Sequence, residues 1–110
     1  MKKLILLMLL AASPALAHAK LIASDPPANA QVKTARLIKL TFSETLEPAF
    51  SGAELTDAAG KTVPVSKSVG GATITLLPLS LKPGAYKVNW HSVGHDTHRV
   101  SGSFGFQVVP

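Results

Sequence analysis

The chain reads as an all-β protein, a small Greek-key sandwich or barrel of about seven strands that follows an export signal. Period-two hydrophobicity is the first reason. Ile38, Leu40 and Phe42 alternate with Lys39 and Thr41; Tyr86, Val88 and Trp90 alternate with Lys87, Asn89 and His91; Phe104, Phe106 and Val108 alternate with Gly105 and Gln107. A strand with one face on a core and the other in water has this pattern. Turn chemistry is the second reason: Asp25-Pro26-Pro27, Asp57-Ala58-Ala59-Gly60, Gly70-Gly71 and Lys82-Pro83-Gly84 punctuate the chain at short intervals. The third is that, past the leader, no stretch of about a dozen residues carries helical spacing.

Taken in order, the chain opens with Lys2 and Lys3, an apolar run from Leu4 to Ala12, the helix breaker Ser13-Pro14 and the small-x-small triplet Ala15-Leu16-Ala17. This is the layout of a secretory signal peptide, and the run is too short for a permanent membrane span. The expected division is a signal over 1–17 and one domain over 18–110, with the periplasm as destination. Ala17-His18-Ala19 also fits the cleavage pattern, so cutting after Ala19 competes. Pro14 stands at the usual distance before a cut after Ala17, which is therefore favoured. Both methionines, Met1 and Met8, fall in the signal.

Within the domain, shorter strands are expected over 20–24, 53–56, 62–65 and 72–77. Phe42, Trp90, Phe104 and Phe106 are the expected core anchors, with Leu37, Leu55, Leu76 and Val88 filling between them. A sandwich of this size buries only about 60–65 % of its unfolded surface, so its stability rests on that core.

Composition excludes much. The chain has 110 residues, which fits one domain and not a (β/α)₈ barrel of about 250. The absence of cysteine removes disulfides, thiolate zinc sites, iron–sulfur clusters and cysteine nucleophiles together. The formal charge of +5 falls to +3 when Lys2 and Lys3 leave with the signal, and the remaining lysines are scattered, with no basic cluster for nucleic acid. No nucleophile elbow surrounds Ser92 or Ser101, so a Ser-His-Asp hydrolase is not expected.

The chemistry lies in the histidines: His18, His91, His95 and His98. On numbers alone they are surface loop residues. Two details say more. Cleavage after Ala17 makes His18 the first residue, whose free amine and ring Nδ1 close a six-membered chelate on one metal ion. Asp96 and His98 stand at i and i+2, which in an extended segment places both side chains on one side, with Cβ atoms about 6.5–7 Å apart. Three nitrogens and one oxygen in a near-planar set suit Cu(II), one ion per chain; Zn²⁺ could take the same donors tetrahedrally. With no methionine and no cysteine after residue 17, a soft Cu(I) site is not expected.

These residues sit in longer matching segments: His18-Ala19-Lys20-Leu21, Asp25-Pro26-Pro27, Leu40-Thr41-Phe42-Ser43-Glu44, Phe50-Ser51-Gly52-Ala53, Leu81 to Trp90, Asp96-Thr97-His98 and Ser101 to Val108. Together they resemble the CopC family of periplasmic copper-binding proteins over essentially all of 18–110. The resemblance implies an immunoglobulin-like sandwich that binds Cu(II) in copper resistance or homeostasis. Its ligands by position are His18 (amine and ring), Asp96 and His98. Glu44 matches an acidic position near that site. A methionine-rich Cu(I) loop found in bipolar members is missing here. His95 replaces the usual small residue before Asp96, and Arg99 replaces the usual proline after the ligand histidine.

The neighbours keep two readings each. His95 is a solvated loop residue or an extra donor; Glu44 pairs with a lysine or supports the site. Arg99 is a surface charge or a hydrogen-bond donor that holds Asp96. His91 falls on the outward parity of its strand and reads as surface. The leading expectation is a non-enzymatic, monomeric copper carrier or buffer, and the resemblance implies delivery to an inner-membrane copper transporter of the CopD kind. A histidine-brace copper monooxygenase is the alternative, opposed by Asp96 filling a position that oxygen activation needs open. A plain interaction module for a membrane copper transporter is the third.

Overall fold

A computed structural model describes residues 18–110. The signal expected over 1–17 lies outside the described residues. Nine strands run through the described part: β1 (Leu21–Asp25), β2 (Gln31–Val32), β3 (Ile38–Phe42), β4 (Gly52–Asp57), β5 (Thr62–Val63), β6 (Val65–Gly70), β7 (Thr73–Pro78), β8 (Gly84–Val93) and β9 (Arg99–Val108). A single 3-10 turn, Pro48–Phe50, precedes β4. One sheet has the order β1-β3-β7-β6 and the other β2-β9-β8-β4-β5. All pairings are antiparallel except β2 with β9. The two-sheet all-β architecture is the expected one.

Parity decides what is buried. Ile38, Leu40 and Phe42 of β3 face the core while Lys39 is exposed. Leu55, Ile74, Leu76 and Val88 meet them and are fully buried. Leu37 does not belong to this core. It is 47 % exposed because it precedes β3 by one residue and shares the outward parity of Lys39. The aromatic anchors also divide. Phe42 and Phe106 are buried, whereas Trp90 and Phe104 are half-buried and pack against the rim of the cluster. Trp90 meets Phe42 edge to face at 5.4 Å between centroids. Its ring lies over Gly102 on the next strand, where an added Cβ would come within 2.7 Å of the indole.

The extra strand β6 and the early start of β9 have physical causes. The segment expected over 62–65 is cut by Pro64, which has no N–H to donate. The chain leaves β4's edge after β5 and enters the other sheet as β6. Lys67 hid β6 from the hydrophobic pattern, since it stands between Val65 and Val69 on their side of the strand. β9 begins earlier than expected, at Arg99, because its polar first half is zipped to β8 as far as the Val93–Arg99 pair. The start of β1, the end of β3, the end of β8 and the start of β9 therefore gather at one end of the sandwich.

Candidate metal centre

That end is built first from backbone. Ala19 is fully buried, and its carbonyl accepts a 2.6 Å hydrogen bond from the buried Ser92 Oγ at the end of β8. Ser43, just past β3, accepts from the Lys20 N–H at 2.9 Å and donates its hydroxyl to the His18 carbonyl at 3.2 Å. The Ser43 N–H donates to the Lys20 carbonyl at 2.8 Å. Residues 18–20 are thus clamped between the two sheets, and His18 is held at the rim.

The second arm is the β8–β9 connection. The Thr97 N–H donates to the Gly94 carbonyl at 3.1 Å, and Thr97 takes a φ of 63°. The segment is a tight turn, not the extended run expected for an Asp-x-His pair. Its side chains converge because Asp96 Oδ1 accepts from the His98 N–H at 3.1 Å and so folds back over the turn. Glu44 supports the turn from below, its Oε1 accepting from the His95 N–H at 3.2 Å. Gly94 is required there: a Cβ would lie 2.9 Å from the Glu44 carboxyl carbon and 3.4 Å from the Ala19 Cβ.

Across this frame His18 Nδ1 lies 2.7 Å from Asp96 Oδ2, and His98 Nδ1 lies 3.3 Å from the same oxygen. The imidazoles stand edge to face, 5.0 Å between centroids. One donor atom from each of His18, Asp96 and His98 falls within 4.8 Å of the other two, close enough that small side-chain rotations would bring all three to about 2 Å from one ion. At 2.7 Å the His18 Nδ1 and the Asp96 carboxylate are at hydrogen-bond distance, a contact that the Nδ1–H tautomer satisfies. For the Asp96 carboxyl, desolvation by the turn pushes upward. The His98 N–H, the His18 hydrogen bond and the charge of both imidazoles outweigh it, leaving it below the ordinary carboxylate range.

The other candidates stand outside this cluster. The His95 ring is 76 % exposed, its Nδ1 3.9 Å from the Glu47 carboxylate. Glu44 holds the turn backbone and pairs with no lysine among the described residues. Arg99 turns to the opposite face, where it lines a groove with His91; the polar partners of Asp96 among the described residues are His18 and His98. His91 points outward, as its parity demands, yet it is half-buried, and desolvation, then Arg99 and Lys67, hold its imidazole below the usual histidine range, against a weaker opposite pull from Glu54. Two flanking cations make it a poor metal ligand. Sequence reasoning missed Ser43, Ser92 and Gly94. Ser92 was findable: a serine on the inward parity of Tyr86 and Val88 is a polar group directed at a core and needs a partner there.

A two-sheet sandwich whose rim joins a histidine segment just before its first strand to an Asp-x-His turn defines a class of small surface-site domains with nitrogen and oxygen donors. The family profile described as the CopC domain matches residues 21–109. The chain belongs to the CopC family. It is 43 % identical over 98 residues to Protein YobA of Escherichia coli (strain K12), covering 84 % of this chain and 79 % of that one. To Copper resistance protein C of Xanthomonas campestris pv. juglandis it is 39 % identical over 109 residues, covering 90 % and 86 %. Among solved structures, PcoC from Escherichia coli, described as a methionine-rich copper resistance protein, superposes with a TM-score of 0.77 at 33 % identity, over 82 % of this chain and 97 % of that one. CopC from Methylosinus trichosporium OB3b gives 0.78 at 30 % identity, over 84 % and 95 %. The function named among these relatives is copper resistance, not catalysis.

Proposed function

We propose that this chain is an exported, non-enzymatic Cu(II)-binding protein that carries or buffers copper in the periplasm as a monomer, one ion per mature chain. The observation that carries this reading is the meeting of His18 with Asp96 and His98, donors 78 positions apart in sequence and 2.7 Å apart in space at His18–Asp96. Cleavage after Ala17 adds a primary amine beside the His18 Nδ1, and the ring and amine close a chelate that Asp96 and His98 complete. The donor set suits Cu(II), first in the divalent affinity series, ahead of Zn²⁺. The two methionines of the chain are Met1 and Met8, so the mature domain offers no thioether for Cu(I), unlike a methionine-rich relative. Arg99 and His95 take no part in ligation, and Glu44 acts by shaping the turn. The exposed rim suits handing the ion to an inner-membrane copper transporter.

The test is a Cu(II) titration of protein beginning at His18 against the same protein with one extra residue before it. Loss of one chelate arm weakens binding on the order of tenfold or more, and a His98→Ala change alters both affinity and EPR spectrum. Affinity falls as pH drops, because protons compete for amine and imidazole nitrogens while Asp96 stays ionised. Equal affinities for the two N-termini would remove the proposal.

A further inference from the structure

The outer face of the β4–β8–β9 sheet carries a cationic groove that the copper reading does not use. Beside it lies Gly52, paired with His91 in the sheet. An added Cβ at Gly52 would stand 3.0 Å from Lys67 Nζ and 3.4 Å from the His91 ring, so the glycine leaves room for an ammonium and an imidazole to sit side by side. Lys67 reaches this spot from β6, in the other sheet, beside the stretch of β4 that β5 leaves unpaired. Arg99 lines the same groove from β9. Among the described residues neither Lys67 nor Arg99 has a carboxylate within ion-pair distance. Desolvation, and then the charge of Arg99 and Lys67, hold the His91 imidazole below the usual histidine range. Ser101 and Ser103 add hydroxyls along the floor.

This groove runs into a second one that shares His91 and Arg99 and is walled by Ala49, Phe50 and Val93. Phe50, on the 3-10 turn, is 64 % exposed. A small oxyanion would satisfy the cations and leave the aromatic wall in water. From Asn89 to Val93 the floor is four strand steps, about 13 Å, which an extended segment of about four residues spans. Glu54 borders one end and Glu47 the other, so negative charge is favoured only in the middle, between Arg99 and Lys67, with the His91 ring beside them as a hydrogen-bonding group. We infer that this face docks an extended segment of a partner protein that is acidic at its centre and apolar at the end lying on Phe50. Thr97, in the turn between Asp96 and His98, also lines the second groove, so the docking face adjoins the candidate metal rim; the inference does not depend on which metal, if any, that rim holds.

The experiment is an NMR titration of isotope-labelled mature protein, without metal, using the blocked peptide acetyl-Phe-Glu-Glu-Leu-amide. Its matched Gln-Gln peptide and inorganic phosphate are run beside it. The Glu peptide is expected to shift the amides of Gly52, His91 to Val93 and Arg99 to Ser103, with affinity falling as salt rises. Lys67→Gln should weaken it about threefold to tenfold, and Phe50→Ala about threefold, with Cu(II) affinity of both variants unchanged. The Gln peptide should bind at least about fivefold more weakly. Absence of shifts in this groove, equal binding of the two peptides, or phosphate shifts of the same size that ignore Phe50→Ala would each overturn the inference. The last outcome would mark a small-anion site only. Cu(II) titration of the unmodified protein reports separately on the copper reading, so the two fail independently.

Discussion

Removing the Ser92 hydroxyl tests how the segment 18–20, the proposed metal-binding tip, is held. Ser92 is fully buried, and its Oγ donates to the Ala19 carbonyl at 2.6 Å. Ser92→Ala leaves side-chain volume almost unchanged and strips that carbonyl of its buried donor. An unsatisfied buried acceptor costs about 1–3 kcal/mol. The cost falls on the docked state of residues 18–20, because the carbonyl regains water as soon as the segment peels away. Each 1.4 kcal/mol being about tenfold in population, the undocked fraction should rise about 5- to 150-fold. Limited trypsin digestion reads this directly at the Lys20–Leu21 bond, whose cleavage requires the strap to leave Ser43. The cut should accelerate in that range in Ser92→Ala. The melting temperature should fall by no more than about 4–8 °C per kcal/mol that reaches the global transition. Cu(II) affinity should drop, since His18 must be re-docked before it meets Asp96. A variant with the parental cleavage rate and the parental copper affinity would refute the claim that this hydroxyl positions the tip.

Two further outcomes are expected. His91 is held below its ordinary value of 6.5 by desolvation and by Arg99 and Lys67, against Glu54. The unfolded chain then binds more protons than the folded one as pH falls through 6.5 towards the lowered folded value, so wild-type stability declines in that window. His91→Gln lacks this group, and urea unfolding from pH 8 to pH 5 should show its stability rising relative to wild type as pH drops; a pH-independent difference would contradict the assignment. Leu55 is fully buried in the core cluster, and Leu55→Ala should cost about 2–5 kcal/mol in chemical denaturation. Leu37→Ala, at an exposed position, should cost about 0.5 kcal/mol or less.

Alternation of apolar and polar residues in β3 and β8 was enough to specify an all-β sandwich, because a two-residue period has only one way to put Leu40 and Val88 on a shared core. The Asp-x-His spacing and the histidine that follows the expected cleavage point were equally visible as donor types. Sequence could not place them. Asp96 and His98 converge through a turn with a positive φ at Thr97, a geometry that depends on Gly94 lying against Glu44. The tip reaches them only because Ser43, just past β3 in one sheet, and Ser92, on β8 in the other, capture its backbone. Position on the one-dimensional chain left two readings of Arg99 open, a surface charge or a donor to Asp96. It adjoins His98 along the backbone, but strand alternation sends it to the far face to stand with Lys67 and His91. Local pattern fixes which side of a strand a residue occupies; only the packing of the two sheets decides which distant side chains share that side.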